Sequence, residues 1–277
     1  MHTNMIVRRM SMFLFTVSIG YLHTPPLFAQ DQTFSTEQTV KCPEARQGVA
    51  VGAQNFYAIN SKTIGQYDKQ TGRLVNRWDG GDNIIHLDSG VVVGNRLYCA
   101  HSNYPALPMM SSIEIFDAST LQHVDSHDFG VYRGSLTWLD RHEGFWWAAF
   151  AHYERYRDTL GRGPEWTTVV KYDDQWCELG VWALPVAVLD RMHPMSNSGG
   201  SWGPDGLLYL TGHDRPEVYR LQLPAKGTTL ELIDTLPLDI LGQGIAWDRT
   251  RPGTLYGIRR KDLHVIIATI SNQEVKD

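Results

Sequence analysis

The stretch that decides the fold is residues 90–100, which read GVVVGNRLYCA. A glycine leads a run of valines, a polar turn follows, and a second apolar segment carries the neighbouring pair Leu97 and Tyr98. β-Branched and aromatic residues on both sides of a glycine-containing turn are typical of two antiparallel strands. The stretch therefore predicts a β-hairpin.

The same pattern occurs at four other places in the chain. It reads GVAVGAQNFYAI from residue 48, GSLTWLDRHEGFWWAA from 134, GGSWGPDGLLYLT from 199 and GQGIAWDRTRPGTLYGI from 242. The aligned pairs are Phe56-Tyr57, Leu97-Tyr98, Trp146-Trp147, Leu208-Tyr209 and Leu255-Tyr256, at spacings of 41, 49, 62 and 47 residues. Four-stranded propeller blades repeat at about 40–50 residues, so we expect an all-β, five-bladed β-propeller.

The remaining residues of each repeat supply two further strands, except in the fifth repeat, where the chain ends early. Residues 37–42 form an unpaired strand before the first repeat, and we expect this N-terminal strand to complete the last blade and close the ring. Seven blades would leave about 35 residues each, below the usual range. We expect the 62-residue interval to hold an insertion in the third blade, with long loops at 151–166 and 186–198.

The first 29 residues have the features of a secretory signal peptide. Arg8 and Arg9 precede a short apolar run, and Leu27-Phe28-Ala29 resembles a small-residue cleavage site. The alternative is an uncleaved anchor, although the apolar run is shorter than the roughly 20 residues that span a bilayer. We therefore predict a single propeller domain at residues 30–277, secreted or periplasmic, with no membrane insertion after signal cleavage.

Charge and cysteine content narrow the partners of the mature chain. Without the signal peptide, 23 Lys and Arg face 30 Asp and Glu, a net charge of about −7. This negative charge argues against nucleic acid as a binding partner. We expect a monomer that binds a small molecule, a glycan or a protein. Cys42, Cys99 and Cys177 allow one disulfide of unassigned pairing, or they are small buried side chains in strands.

Residues 196–221, SNSGGSWGPDGLLYLTGHDRPEVYRL, place a Pro-Asp-Gly turn before the fourth aromatic pair. With this turn and the five repeats, the chain resembles the β-propeller superfamily of beta-repeat lactonases, gluconolactonase-like and quinoprotein-dehydrogenase-like proteins. The resemblance covers the architecture of nearly the whole mature chain. In the gluconolactonase-like members, a Glu and Asn or Asp residues before the inner strands bind a divalent cation. Asn197 lies at such a position, whereas Glu44 is only near one.

We expect function at the top face, defined as the end of the ring where the chain enters each inner strand. Segments that lead into inner strands carry the candidate catalytic residues His86, Asp88 and His193 and the candidate ligand-binding residues Arg133, Asn197, Ser198 and Gln243. Loops that follow second strands add Tyr104, Tyr153 and Arg259 as ligand-binding candidates. His86 and Asp88 are two residues apart and share one side of an extended chain, as a base and its orienting group would. The alternative is a pair that solvates a turn.

Three histidines follow aligned aromatic residues at similar distances. His101, His152 and His213 lie three, five and four positions after Tyr98, Trp147 and Tyr209. Imidazole suits transition metals, so these histidines are candidate ligands of a divalent metal. The alternative is three ordinary polar residues on blades too far apart to share an ion.

Two further features of the sequence have both a functional and a structural interpretation. Residues 199–203, GGSWG, match G-x-S-x-G, but a turn and another strand follow where a hydrolase nucleophile requires a helix. The insertion at 151–166 is rich in aromatic residues and is either a ligand-binding loop or a disordered decoration. The sequence thus predicts a ligand-binding propeller, with a hydrolase, lactonase or isomerase acting at the channel mouth as the alternative.

Overall fold

The computed structural model describes residues 32–81, 83–131 and 133–272, and the predicted signal peptide lies outside them. No helix in the described residues is long and apolar enough to cross a membrane. Within these ranges the chain forms five antiparallel sheets of four strands each, which are the five blades of a β-propeller. The predicted fold class is confirmed.

Each blade runs from its inner to its outer strand in chain order, except for the last. Blade 1 contains β2 (Gly48–Val51), β3 (Asn55–Asn60), β4 (Thr63–Asp68) and β5 (Leu74–Asp79); blade 2 contains β6 (His86–Val93), β7 (Arg96–Ser102), β8 (Met110–Asp117) and β9 (His123–Val131); blade 3 contains β10 (Ser135–His142), β11 (Phe145–Ala151), β12 (Thr168–Tyr172) and β13 (Glu178–Ala183); blade 4 contains β14 (Gly199–Trp202), β15 (Leu208–Thr211), β16 (Glu217–Gln222) and β17 (Glu231–Pro237); blade 5 contains β18 (Ile245–Trp247), β19 (Thr254–Arg259), β20 (His264–Asn272) and, outermost, β1 (Gln32–Lys41).

The N-terminal strand closes the ring as predicted. Strand β1 pairs antiparallel with β20 from Gln32 opposite Asn272 to Lys41 opposite His264, with one irregularity near Thr36. The strand begins five residues earlier and ends one residue earlier than the sequence indicates. Because β1 is the outer strand of blade 5, the last blade joins both ends of the described chain.

The repeated apolar pair supplies the contacts between blades. Neighbouring residues of a strand point to opposite faces of a sheet, so the two members of each pair contact different blades. In the second strand of blade 1, Phe56 packs against blade 5 and Tyr57 packs against blade 2. In blade 3, Trp146 faces blade 2 and Trp147 faces blade 4. Five buried clusters of this kind, one at each interface between blades, make up most of the core.

The glycines that lead the inner strands lie where the strands crowd the axis. A Cβ atom on Gly244 would lie 2.6 Å from the Cα atom of Gly48, and one on Gly48 would lie 2.5 Å from the Cα atom of Ser89. Real Cβ atoms do not approach other atoms this closely, so only glycine fits at these positions. The inner strands of neighbouring blades contact one another around the whole ring.

The third-blade insertion is confirmed, but the two expected loops contain short helices. Residues 186–198 begin with helix α2 (Val186–Met192), and α2 buries Val188 and Met192, which lie one turn apart on the same face. The segment 151–166 contains helix α1 (Arg157–Leu160) between two 3-10 helices, Glu154–Tyr156 and Pro164–Trp166. The cysteines are free thiols: Cys42 and Cys99 are buried and Cys177 is exposed.

Candidate functional site

A pocket of about 70 Å³ lies at the centre of the top face. Its walls are the segments that lead into inner strands and the loops that follow second strands, so all five blades contribute. The lining residues are Gln47, His86, Asp88, Tyr104, Thr137, Tyr153, Met195, Ser198, His213 and Gln243. Seven of these ten residues are among those predicted from the sequence. The structure therefore brings together most of the predicted top-face site.

Irregular backbone positions three of the lining residues. Asp88 lies where the pairing of β6 with β7 shifts register, and Thr137 lies at a similar shift between β10 and β11. Gln243, just before β18, has a φ angle of 68°, which is uncommon for a residue with a side chain. β-Bulges redirect side chains and are frequent beside functional sites. Here the irregular residues from the inner-strand regions of blades 2, 3 and 5 all line the same pocket.

His86 and Asp88 form a close pair at the pocket wall. His86 Nε2 lies 3.5 Å from Asp88 Oδ2, and His86 Nδ1 lies 3.0 Å from Ser61 Oγ. Burial, together with the nearby His101, lowers the pKa of His86 to about 4. Burial also raises the pKa of Asp88 well above its ordinary value. Both shifts favour the uncharged forms, so the pair combines a neutral imidazole with a carboxyl group that retains its proton more strongly than usual.

Tyrosines border the pocket on the side of the insertion. The Tyr104 ring lies 5.3 Å from the His86 ring and 5.1 Å from the Tyr153 ring, between centroids. The Tyr156 hydroxyl donates to the Pro105 carbonyl at 2.7 Å and thus ties the insertion to the loop that carries Tyr104. Arg155 donates to the Tyr104 hydroxyl at 3.2 Å. The insertion is thus packed against the top face and is not a disordered decoration.

Thr137 lines the pocket and has a buried hydroxyl. The residue is 2% exposed, and its Oγ1 atom has no hydrogen-bond partner among the described residues. Buried polar atoms without a partner are rare in folded proteins, since each costs about 1–3 kcal/mol relative to a satisfied one. Such an atom on a pocket wall is well placed to bond a ligand.

Several predicted residues lie away from the pocket. His193 is exposed and 3.8 Å from Glu154. Arg133 pairs with Glu178 at 2.7 Å, and Arg259 pairs with Asp262 at 3.0 Å. Each of the three side chains lies near an acidic residue, and none of them lines the central pocket.

Asn197 has a structural role. It is fully buried; its Oδ1 accepts from Trp138 Nε1, and its Nδ2 donates to the carbonyls of Gly199 and Thr211 at 2.9 and 3.0 Å. Glu44 is likewise bound away from the channel, by the Tyr67 hydroxyl at 2.6 Å. Asn197 and Glu44, the residues closest in position to the cation ligands of gluconolactonase-like proteins, therefore stabilise the blades and do not face a common site.

The three histidines of the predicted metal site do not converge. His101 bonds Ser112 at 2.8 Å, His152 donates from Nε2 to the Arg133 carbonyl at 3.1 Å, and His213 lies 2.7 Å from Asp214. Of the three, His213 alone lines the central pocket. Among the described residues, no group of three or more His, Cys, Asp or Glu is arranged to hold a metal ion. The blades separate the histidines: His101 lies near the end of the second strand of blade 2, and His152 and His213 follow the second strands of blades 3 and 4.

Sequence reasoning missed three lining residues, Gln47, Thr137 and Met195. Gln47 precedes the glycine of the first inner strand just as Gln243 precedes Gly244, so alignment of these two positions could have found it. Thr137 reaches the pocket through a bulge, and Met195 follows helix α2. No sequence pattern marks either feature.

Hydrogen bonds to Asp140 link three blades at the bottom end of the channel. Asp140 Oδ2 accepts from Ser201 Oγ at 2.9 Å, from the Trp202 backbone N–H at 2.8 Å and from Arg249 Nη2 at 2.7 Å. Ser201 is the serine of the G-x-S-x-G match, and a turn and strand β15 follow it. The serine therefore bonds a structural carboxylate and lies at the end of the channel opposite the pocket.

Several solved structures align with this chain. The chain aligns with glutaminyl cyclase from Myxococcus xanthus at 11% identity, over 88% of this chain and 98% of that one, with a TM-score of 0.57. It also aligns with hydrazine synthase from Kuenenia stuttgartiensis (12% identity, 83% and 72% coverage, TM-score 0.47) and with the WD40 repeats of RRP9 (11%, 81% and 67%, 0.42). No protein-family model matches the chain, and no curated protein matches it. The chain is a five-bladed β-propeller, and at this level of identity the likeness concerns the fold alone.

Proposed function

We propose that the protein binds a small uncharged molecule with several hydroxyl groups, such as the terminal sugar of a glycan, in the top-face pocket. The observation that carries this proposal is Thr137, which lines the pocket and has a buried hydroxyl without a partner among the described residues. A ligand hydroxyl would supply the missing hydrogen bond.

The lining supports an uncharged ligand. Among the described residues it contains no Lys or Arg, and the pKa shifts of His86 and Asp88 both favour neutral forms. A charged ligand would lose its hydration at this wall without gaining an opposite charge. Hydroxyl and amide groups of Thr137, Ser198 and Gln243 can instead donate to and accept from ligand hydroxyls.

The size and rim of the pocket support the binding of one terminal group of a larger ligand. About 70 Å³ is small compared with the roughly 300–1,000 Å³ of pockets that enclose whole ligands. The rings of Tyr104 and Tyr153 border the opening and provide flat apolar surfaces. One sugar ring, or part of one, would enter while the rest of the molecule stays outside.

A titration series tests this proposal with matched variants. The probes are neutral monosaccharides and disaccharides, with a uronic acid and an amino sugar as charged comparisons. Thr137→Val removes the hydroxyl at nearly constant volume, and we expect sugar affinity to fall about tenfold while the fold gains about 1 kcal/mol. Thr254→Val is the control, because Thr254 Oγ1 is also buried without a described partner but does not line the pocket.

Thr254→Val should therefore stabilise the fold without changing sugar affinity. Equal affinity of wild type and Thr137→Val for the best sugar would contradict the proposal. Preference for a charged sugar would contradict it as well.

A second function is an acid–base enzyme at the same pocket, a hydrolase, lactonase or isomerase. It is favoured by the His86–Asp88 pair, since groups with pKa values displaced by burial are typical of general acids and bases. Asp88→Asn keeps the size and polarity of the side chain but cannot transfer a proton. If the protein is an enzyme, this variant should bind substrate and lose turnover, whereas unchanged turnover would exclude the pair.

We further propose that the protein acts outside the cytoplasm as a secreted or periplasmic monomer. The basic and apolar pattern of residues 1–29 supports this proposal. Mass spectrometry of protein from the producing cells tests it: cleavage after Ala29 and a native mass of one chain are expected. Retention of Met1–Ala29 or a stable dimer would contradict it.

A further inference from the structure

A second cavity, of about 210 Å³, is bordered by the third-blade insertion. It is lined by Met109, His152, Thr159, Leu160 and Arg162, none of which lines the central pocket. A cavity of about 150 Å³ is large enough for benzene, so this one has room for a single six-membered ring with a substituent. The cavity is therefore a separate candidate site for a small molecule.

One edge of the His152 ring is occupied by the chain that leads into the inner strand of blade 3. Nε2 of His152 donates to the Arg133 carbonyl at 3.1 Å. A Cβ atom on Gly134 would lie 3.1 Å from Nε2 and 3.2 Å from Cδ2, so Gly134 lies against the same edge. Because the carbonyl can only accept, Nε2 carries the proton of the neutral ring and Nδ1 is an acceptor. Nδ1 is the ring atom opposite the occupied edge.

Nδ1 of His152 is a buried acceptor without a donor. The residue is 3% exposed, and Nδ1 has no hydrogen-bond partner among the described residues. Burial lowers the pKa of His152, which favours the neutral ring and leaves the lone pair of Nδ1 free to accept. Since buried polar atoms are nearly always hydrogen-bonded, Nδ1 is the atom to which a ligand in the cavity would donate.

The backbone fixes the position of His152. Its N–H donates to Thr167 Oγ1 at 3.1 Å, and Thr167 Oγ1 lies 2.6 Å from Ser196 Oγ. Tyr153 has extended backbone angles, with φ −125° and ψ 146°, so neighbouring side chains point to opposite sides. Tyr153 accordingly lines the central pocket, while His152 lines the second cavity. The acceptor is therefore in place before a ligand binds.

The remaining walls favour an apolar, uncharged ligand. Met109 is buried and Leu160 is half-buried in the same apolar cluster. A thioether makes favourable contacts with aromatic rings, so Met109 suits an aromatic ligand. The Arg162 guanidinium is engaged with the Trp166 ring, 5.0 Å from its centroid, and its charge disfavours a cationic ligand.

We propose that this cavity binds a small neutral phenol, whose hydroxyl donates to Nδ1 of His152 and whose ring contacts Met109 and Leu160. A fluorinated ring or a carboxylate of similar size has no donor and leaves Nδ1 unsatisfied. A single water can donate to Nδ1 but leaves most of the cavity empty.

Calorimetric titration with three single-ring probes tests the proposal. The probes are phenol, fluorobenzene, which has nearly the same shape but no donor, and benzoate, which is charged and has no donor. We expect phenol to bind most tightly and each of the other two at least about fivefold more weakly, because only phenol satisfies Nδ1. Nitrogen NMR of wild type should show a new hydrogen bond at Nδ1 of His152 with phenol but not with fluorobenzene.

Two variants and one control assign the binding to this cavity. Leu160→Trp, at the end of helix α1, places a larger side chain where the ring would lie and should weaken phenol at least about tenfold. Leu74→Trp is the matched control and should leave affinity unchanged, because Leu74 is exposed on β5 of blade 1. His152→Gln keeps an N–H group for the Arg133 carbonyl but lacks Nδ1, and it should weaken phenol about five- to tenfold.

Four results would overturn the proposal. Two are equal affinity for phenol and fluorobenzene, and tighter binding of benzoate than of phenol. The third is full phenol affinity in a folded Leu160→Trp variant, with folding checked by circular dichroism. The fourth is a crystal structure with only a water at Nδ1 of His152 after soaking at about 10 mM phenol, well above a weak Kd of about 1 mM. The NMR and crystal experiments use wild type, so they decide the question even where a variant fails to fold.

Discussion

The two ends of the central channel are built from the same five inner strands, yet they differ in how fully their polar groups are hydrogen-bonded. At the bottom end, three donors saturate one carboxylate oxygen of Asp140. At the top end, the Thr137 hydroxyl lacks a described partner and the His86–Asp88 contact is 3.5 Å long. The Asp140 carboxylate at the bottom end is satisfied by the protein itself, whereas the Thr137 hydroxyl at the top end has hydrogen-bonding capacity left for another molecule.

The backbone differs in the same way. At the bottom end the inner strands pair regularly, for example Asp140 with Trp147 and Ser201 with Tyr209. At the top end the register shifts at Asp88 and Thr137. Irregular backbone costs stability and persists where the surroundings hold it in place, which is common at functional sites. The difference therefore suggests a structural bottom end and a functional top end.

The largest expected effect comes from the bottom end. Asp140→Ala removes the acceptor of Ser201, Trp202 and Arg249, and we expect a loss of about 3 kcal/mol in the free energy of unfolding, measured in urea. Asp79→Asn is the control, because Asp79 is exposed and its pair with Arg77 should contribute less than about 1 kcal/mol.

Sugar affinity of Asp140→Ala at the top pocket should remain within about twofold of wild type, since the two ends are independent sites. A mild effect on stability, or a large effect on affinity, would contradict the assignment of a structural role to the bottom end and a functional role to the top end.

A smaller effect is expected from His86 and depends on pH. The pKa of His86 is near 6.5 in the unfolded chain and about 4 in the folded protein, so below pH 6.5 the unfolded state binds the extra proton. The stability that His86 contributes is full above pH 6.5 and is lost as the pH falls toward 4. We expect wild type to lose about 2 kcal/mol relative to His86→Gln between pH 7.5 and pH 5.

The comparison of variants is needed because Asp88 acts in the opposite direction. Its raised pKa means that the folded state holds the proton longer, so its contribution falls as the pH rises above about 4. His193→Gln is the control for His86, since His193 is exposed. A difference between wild type and His86→Gln that does not change with pH would show that His86 titrates normally and that the top pocket is open to water.

The sequence predicts those features that arise from local pattern. Repeated pairs such as Phe56-Tyr57 indicate the blades, because a strand must place one large side chain on each neighbouring blade. The position of the site at the top face follows from the same repeats. His86, Asp88 and Gln243 could be named from sequence, because they immediately precede or begin inner strands.

The features that could not be predicted depend on contacts between distant residues. Asn197 lies at the expected position, but Trp138, 59 residues earlier, takes its Oδ1 atom and turns the amide into a structural group. Thr137 points to the channel because the strand bulges, and no residue type in its neighbourhood requires a bulge. The spacing of His101, His152 and His213 gives their level along the axis but not their distance from it.

The smallest expected effect concerns the backbone at Gln243. Its φ of 68° costs about 1 kcal/mol for a residue with a side chain, and glycine would remove that cost but add a similar entropic one. We expect Gln243→Gly to change the free energy of unfolding by less than about 0.5 kcal/mol. Glu143, at a φ of 49° in an exposed turn, is the control, and Glu143→Gly should change the free energy of unfolding by a similarly small amount. Sugar titration then separates the two variants. Affinity should fall severalfold in Gln243→Gly alone, because Gln243 lines the top pocket and Glu143 does not. Unchanged affinity in Gln243→Gly would mean that the left-handed backbone at Gln243 serves the close approach of the inner strands, and the functional top end would then rest on Thr137 and the His86–Asp88 pair.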